Sequence, residues 1–393
     1  MRTGAVIVFA CALSMLASVC SAANGQQSTG AIAPRLAGPL HTDGTRILDA
    51  RGHAVRFLGM ELTNLGPGEG KPSSQTGLGC TGWSVPSSAA LDNIQAWGFN
   101  VVRLAVAWAN LEPKPPVRVG TVQFHFWNQQ YLQALDQVVW GLTSRGIGVI
   151  LEMSQDHWSP AFDRYPGSPC PGRGLPAWLY QMNSTNTETK ARVDFFRDVN
   201  HVQEGLQSAW QFLAGRYSAN PLVIGADMFN EPYVSVTKMS RADMHLGDLY
   251  QKIGSTIRAQ APDMLLLFQN SQYVRKTKDF ALQYPPAFAN TVYEFHLYRH
   301  DWNSGQGVFR AQEGLAHRWQ VPLLMGEFNA FNYASNTKSA ASDWRSGTNQ
   351  LLAYARQQDV GWVFFAYSGG NSLVTPGTNN PKPKLLPTLQ DGF

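Results

Sequence analysis

Cysteine is scarce in this chain. There are four in 393 residues, and Cys11 and Cys20 fall within the first 22. The remaining pair, Cys80 and Cys170, sits in no C-x-x-C motif and beside no closely spaced histidine, so no metal site is expected. Charge is also sparse: 15% of residues are Asp, Glu, Lys or Arg, against about 25% in ordinary soluble domains. The net charge of +4 is not gathered into a basic run. That excludes nucleic acid as a partner and attachment to a membrane by charge alone. Beyond the N-terminus no apolar run reaches the roughly 20 residues of a bilayer span, so no transmembrane segment is expected. No G-x-G-x-x-G or P-loop follows an early strand, which argues against a doubly wound nucleotide-binding sheet; no cofactor is expected.

What is present begins with an export signal. Met1-Arg2, a mostly apolar run from Ala5 to Val19 and the small residues Ser21-Ala22-Ala23 have its three regions. Residues 1–22 read as a signal peptide, 23–39 as a flexible leader and 40–393 as one domain, secreted and expected to be monomeric. In an oxidising compartment the two remaining cysteines predict a Cys80–Cys170 disulfide. Aromatics are plentiful, with 12 Trp, 13 Tyr and 20 Phe. Those that fall in loops could stack on sugar rings.

Residues 40–53 alternate short β-like runs with Asp-Gly and Arg-Gly turns, as a small hairpin would. Apolar strand-like runs follow at Arg56–Met60, Asn100–Val106, Gly148–Met153, Val223–Phe229, Met264–Phe268, Thr291–Phe295, Pro322–Met325 and Trp362–Ala366. Helical patterns separate them at Ser88–Trp97, Gln130–Arg145, Gln203–Tyr217, Arg241–Ala261, Phe280–Ala289, Arg310–Arg318 and Ser342–Gln357. Eight strands alternating with helices predict parallel βα units. The fold class is therefore α/β, a (β/α)8 TIM barrel with a small N-terminal β-hairpin cap. In such a barrel chemistry sits on the loops after the strands. Here Thr63–Ser87 and Ser154 to about Val202 are long and rich in Gly, Pro, Ser and Asn.

Two strands end in a carboxylate: Val223 to Phe229 runs into Asn230-Glu231-Pro232, and Val321 to Gly326 runs into Glu327-Phe328. Pro232 ends its strand and leaves Glu231 at the rim. Two carboxylates on one barrel rim suit glycoside hydrolysis, in which one protonates the leaving oxygen and the other attacks the anomeric carbon.

With these motifs the chain resembles glycoside hydrolase family 5, the cellulase-like barrels, from about Leu40 to Tyr367. The resemblance implies Glu231 as acid/base, Glu327 as nucleophile and retention of configuration. Phe99 to Leu104 resembles the second-strand motif, whose arginine, here Arg103, keeps the nucleophile ionised. Asn230 is implied to bind the sugar 2-hydroxyl. Val292 to Tyr298 resembles the sixth-strand motif, with His296 beside the acid/base and Tyr298 beside the nucleophile. Two departures stand out: Ser154 occupies the usual third-strand histidine position, with His157 three residues on, and Phe365 or Tyr367 replaces the usual eighth-strand tryptophan platform. Gln155-Asp156-His157-Trp158-Ser159 and Gly172 to Trp178 resemble an endoglycoceramidase-like branch that cleaves glycans from ceramide, which points to Asp156 and Trp158 as substrate contacts. The expected activity is hydrolysis of β-glycosidic bonds in a polysaccharide or glycoconjugate. A barrel that binds glycan without cutting it is the alternative.

Overall fold

The computed structural model describes residues 35–66, 83–155, 158–162, 174–180, 187–271, 281–298, 302–329, 344–369 and 372–393. The signal region, Cys80, Cys170, Asp156 and His157 lie outside the described residues.

Eight parallel strands close a barrel: β3 (Leu58–Leu62), β4 (Val101–Ala107), β7 (Gly148–Ser154), β8 (Val223–Asp227), β9 (Leu265–Gln269), β10 (Thr291–Leu297), β11 (Leu323–Phe328) and β12 (Gly361–Phe364), which pairs back to β3. Nearly all their residues are buried, as strands covered on both faces require. Helices α1 (Ser88–Ala96), α3 (Gln129–Thr143), α5 (Val202–Tyr217), α6 (Leu246–Gln260), α7 (Trp302–Trp319) and α8 (Trp344–Gln357) flank it. Their starts follow local chemistry. Ser87 accepts a bond from Ala90 N and Asn128 accepts bonds from Gln130 N and Tyr131 N, satisfying first-turn amides. The buried positions of α3, from Tyr131 to Leu142, recur at helical spacing and face the barrel.

Alternate residues of each strand point inward. Val101, Ile150, Leu265, Val292, Leu324 and Val363 form an apolar layer low in the barrel. The hairpin of β1 (His41–Asp43) and β2 (Arg46–Leu48) closes that end, with Leu40 and Ile47 packed into the same cluster. Two residues further along each strand the layer turns polar: Arg103 after Val101, Glu152 after Ile150, Glu294 after Val292.

All eight expected strands are present. The Phe280–Ala289 helix is not: residues 281–290 carry no helix, because Pro285-Pro286 removes an amide and clashes with the preceding turn. The expected Arg241–Ala261 helix is split by His245 at φ +45, so a single turn at Ala242–Met244 precedes α6. Helix α7 starts at Trp302, earlier than the expected Arg310, despite Gly305 and Gly307. Contacts of Trp302 and Phe309 with Tyr354 of α8 override the weak local propensity. The stretch read as a long loop after β7 holds α4 (Glu188–Phe196), started by Thr187 accepting from Lys190 N. The connection after β4 holds α2 (Trp108–Leu111) and a second hairpin, β5 (Val117–Val119) with β6 (Val122–Phe124). Helix α9 (Leu385–Gln390) lies near the C-terminal end. Among the described residues no helix is long and apolar enough to cross a membrane.

Candidate active site

The polar layer is built around Arg103, which is fully buried. Its guanidinium donates to Glu327 Oε1 at 2.8 Å, Glu61 Oε2 at 3.1 Å and Asn230 Oδ1 at 2.7 Å. It also donates to Asp227 Oδ2 and lies 3.2 Å from Glu294 Oε1 and 3.9 Å from Glu152 Oε2. Five carboxyl groups thus surround one fixed cation. They cannot all be ionised there, since mutual repulsion and lost hydration both favour the neutral form. Burial pushes Glu61 well above the usual carboxylate range, and Glu152 and Asp227 up to about 8, against the opposing pull of Arg103. Glu294 moves the other way. Burial raises it, but Arg103, His296 and the Asp227 carboxyl together hold it below its ordinary value. Gly326 is required beside this group, because a Cβ there would lie 1.6 Å from Glu294 Oε1.

Above this layer stand the two rim carboxylates. A carboxylate oxygen of Glu231, one of Glu327 and a ring nitrogen of His296 lie within 4.8 Å of one another. Tyr298 donates its hydroxyl to Glu327 Oε2 at 2.6 Å, and His296 Nδ1 pairs with Glu231 Oε1 at 2.7 Å. The Glu231 side chain is 21% exposed and that of Glu327 only 7%, so Glu231 has the freer access to solvent. Arg103 lowers the proton affinity of Glu327, as the sequence led one to expect, but it does not decide the net direction. Burial raises that affinity, His296 and Arg103 lower it, and the net result lies above the ordinary value. Burial alone would depress His296, but Glu327, Glu231 and Glu294 lift it well above the usual imidazole range. With His296 Nδ1 at 2.7 Å from Glu231 and 3.4 Å from Glu327, the three side chains are placed to pass a proton between them.

These groups give stability a pH sign. For Glu61, Glu152 and Asp227 the folded chain keeps protons that the unfolded chain releases near pH 4, so stability falls as pH rises from about 4 through about 8. The raised His296 acts in the same direction, its contribution being lost as pH climbs through its folded value. Within this layer Glu294 opposes them, and only at acid pH. The melting temperature should be several degrees higher near pH ~5.5 than near pH ~8.5. Thermal unfolding across that range checks this, and a flat profile would mean the carboxyl layer is not protonated.

Glu231 itself has a left-handed backbone, φ +43, a conformation costing roughly 1–3 kcal/mol outside glycine. Two glutamines hold it there. Gln155 Nε2 donates to Asn230 O at 2.7 Å and Glu231 O at 3.0 Å, while Gln269 Oε1 accepts from Glu231 N at 3.1 Å. Both side chains are buried. Neither Gln269 nor Glu61 was singled out from sequence, although each is a polar residue within an otherwise apolar strand.

Of the other expected contacts, Phe365 is half-buried beside Tyr298, ring centroids 6.4 Å apart, whereas Tyr367 is buried and stacks on Trp97. Trp158 is corrected to a core residue. It is fully buried, packs on Phe195 and Phe229, lies beneath Arg192 and donates to the Tyr180 hydroxyl. An indole enclosed in this way is satisfied by protein and offers no face to a ligand.

A parallel barrel with an acid-lined mouth at the carboxyl ends of its strands has the layout of a barrel enzyme. Residues 48–371 match the model of the cellulase family, glycosyl hydrolase family 5, and the chain belongs to that family and is a glycosyl hydrolase. It is 24% identical over 365 residues to endoglycoceramidase I of Rhodococcus hoagii, covering 85% of this chain and 68% of the relative. It is 25% identical over 265 residues to an endoglucanase of Paenibacillus polymyxa, covering 63% of this chain and 56% of that one. Among solved structures the fold is similar to an endogalactoceramidase, with a TM-score of 0.71 at 21% identity over 90% of this chain and 84% of that one. It is also similar to endo-glycoceramidase II from Rhodococcus sp. as a lactosyl-enzyme intermediate, with a TM-score of 0.69 at 21% identity over 87% and 80%.

Proposed function

We propose that the chain is an exported, retaining glycosidase that releases glycan from a glycolipid by double displacement, with Glu327 as nucleophile and Glu231 as acid/base. The observation that carries the mechanism is the approach of the two carboxylates to within 4.8 Å. Retention places the two carboxyl groups about 5–5.5 Å apart, whereas inversion needs room for a water and roughly 6.5–9.5 Å. Glu327 attacks the anomeric carbon as Glu231 delivers a proton, shared with His296 Nδ1, to the departing oxygen. Water then enters, Glu231 takes its proton, and the glycosyl–Glu327 ester breaks. Asn230 Oδ1 is occupied by Arg103, which leaves its amide hydrogens for the sugar 2-hydroxyl. Phe365 supplies a ring beside the sugar site. The covalent intermediate named for the Rhodococcus structure supports the double displacement for a protein of the same fold.

The lipid-linked substrate is supported by the ceramide-directed names of several relatives, including a glucosylceramidase of Rhizopus delemar. A glucan substrate is the second reading, favoured by the endoglucanase relative. Assay of the purified protein on a glycosylceramide in detergent and on a soluble β-glucan separates them. Release of ceramide without glucan cleavage is the expected result, and the reverse would overturn the lipid reading. Export is part of the proposal, as is the Cys80–Cys170 disulfide. Thiol labelling of native and unfolded protein tests the latter.

Gln155 and Gln269 act as positioning residues for Glu231. Gln269→Leu should lower kcat roughly ten- to a hundredfold, with KM changing far less, because a misplaced proton donor slows chemistry more than binding. A loss confined to KM would assign Gln269 to substrate binding instead.

A further inference from the structure

The connection between β4 and α3 carries a feature that the catalytic arrangement does not use. Of the nine large hydrophobic residues exposed among the described residues, five lie in ten consecutive positions: Val117, Val119, Val122, Phe124 and Phe126, between 47% and 62% exposed. In the β5–β6 hairpin Val117 pairs with Phe124 and Val119 with Val122. Because strand side chains alternate, these four share one face of the ribbon, and Arg118 and Gln123 share the other. A two-stranded ribbon with a bare apolar face is not stable by itself, and such a patch marks an interaction site.

The stem is fixed. Buried Glu112 accepts from Trp108 Nε1 at 3.0 Å and pairs with His125 Nδ1 at 2.6 Å, and Trp178 Nε1 donates to its carbonyl at 2.8 Å. The His125 ring stacks on Trp127, which stacks on Phe212 of α5. Held at its base, the hairpin keeps its apolar face turned to solvent. Residues 113–127 include Lys114 and Arg118 and no Asp or Glu. The segment leaves the barrel after β4, at the end of the strands that carries Glu231 and Glu327.

We propose that the β5–β6 hairpin docks the enzyme on a lipid surface, its Val and Phe side chains entering the headgroup boundary while Lys114, and Arg118 reaching round from the ribbon's opposite face, meet anionic headgroups. This deepens the glycolipid reading above and rests on it for its purpose. Apolar insertion leads and the two cations assist, which is compatible with a chain lacking any basic run. A lipid surface fits the face better than a protein partner, since four aliphatic and aromatic side chains with a basic flank and no acidic residue match an anionic interface.

The test uses the full chain with vesicles of phosphatidylcholine, with and without phosphatidylglycerol, and no glycolipid present. The wild type should sediment with both kinds of vesicle, more strongly with the anionic ones. The exposed triple variant V119S/V122S/F124S should lose about tenfold or more in partitioning to either. K114Q/R118Q should lose only the preference for anionic vesicles. Hydrolysis of a soluble aryl glycoside should be unchanged in both variants, which separates loss of docking from loss of the active site. Equal sedimentation of wild type and triple variant would overturn the proposal, as would failure of the wild type to bind either vesicle. A wild-type dimer abolished by V119S/V122S/F124S would also overturn it, by assigning the face to a second copy. If the wild type binds vesicles yet cleaves only glucans, docking stands and the glycolipid substrate falls.

Discussion

Glu327→Gln should reduce turnover by at least roughly 10⁴-fold, the scale on which loss of a covalent nucleophile registers in other enzymes. The amide keeps the shape of the carboxylate and one oxygen for the Arg103 hydrogen bond, but it cannot form the glycosyl ester. Its effect on folding should run the other way. Glu327 is one of five carboxyls around Arg103, and burial already disfavours its charge, so a neutral isostere relieves repulsion and the melting temperature should not fall. Steady-state kinetics together with thermal unfolding read both effects. An undiminished rate sinks the nucleophile assignment, while a lost rate with a collapsed fold would move Glu327 into the structural frame.

The second large effect depends on the substrate. Glu231→Ala should slow hydrolysis of unactivated glycosides by roughly 10²–10⁴-fold, the usual contribution of a positioned acid. Aryl glycosides with good leaving groups should lose far less in the glycosylation step, because their departing oxygen needs no proton. Comparing the two substrate types on one variant distinguishes this role from simple damage, which would depress both alike. The pairing with His296 adds a corollary: Glu231→Ala should also remove a carboxylate that supports the imidazolium, so the His296 ring should titrate at lower pH by NMR.

The barrel was legible from sequence because each strand is a short apolar run bounded by turns, and all eight runs matched a strand to within a few residues. The pair Glu231 and Glu327 was legible because a carboxylate at a strand's end interrupts such a run. Glu61, Gln269 and the carboxyl cluster were less visible. Their meaning lies in facing inward at one height from different strands, and that height is set by barrel register, which a single strand does not encode. The signal was present as a polar residue two positions after an inward apolar one, as in Leu267 to Gln269 or Gly59 to Glu61. Trp158 was misread for the opposite reason. A tryptophan in a loop motif looks exposed, but the residues that enclose it, Phe195 and Phe196, come from α4, a helix hidden in a segment read as loop.

The N-terminal hairpin closes the barrel on the side away from Glu231 and Glu327. Leu40 and Ile47 seal the barrel's far end, and the apolar layer above them separates Glu61, Glu152, Asp227 and Glu294 from solvent on that side. Among the described residues the approach left to these acids is the mouth that carries Glu231 and Glu327, so exchange of their protons with solvent should slow when that mouth is filled.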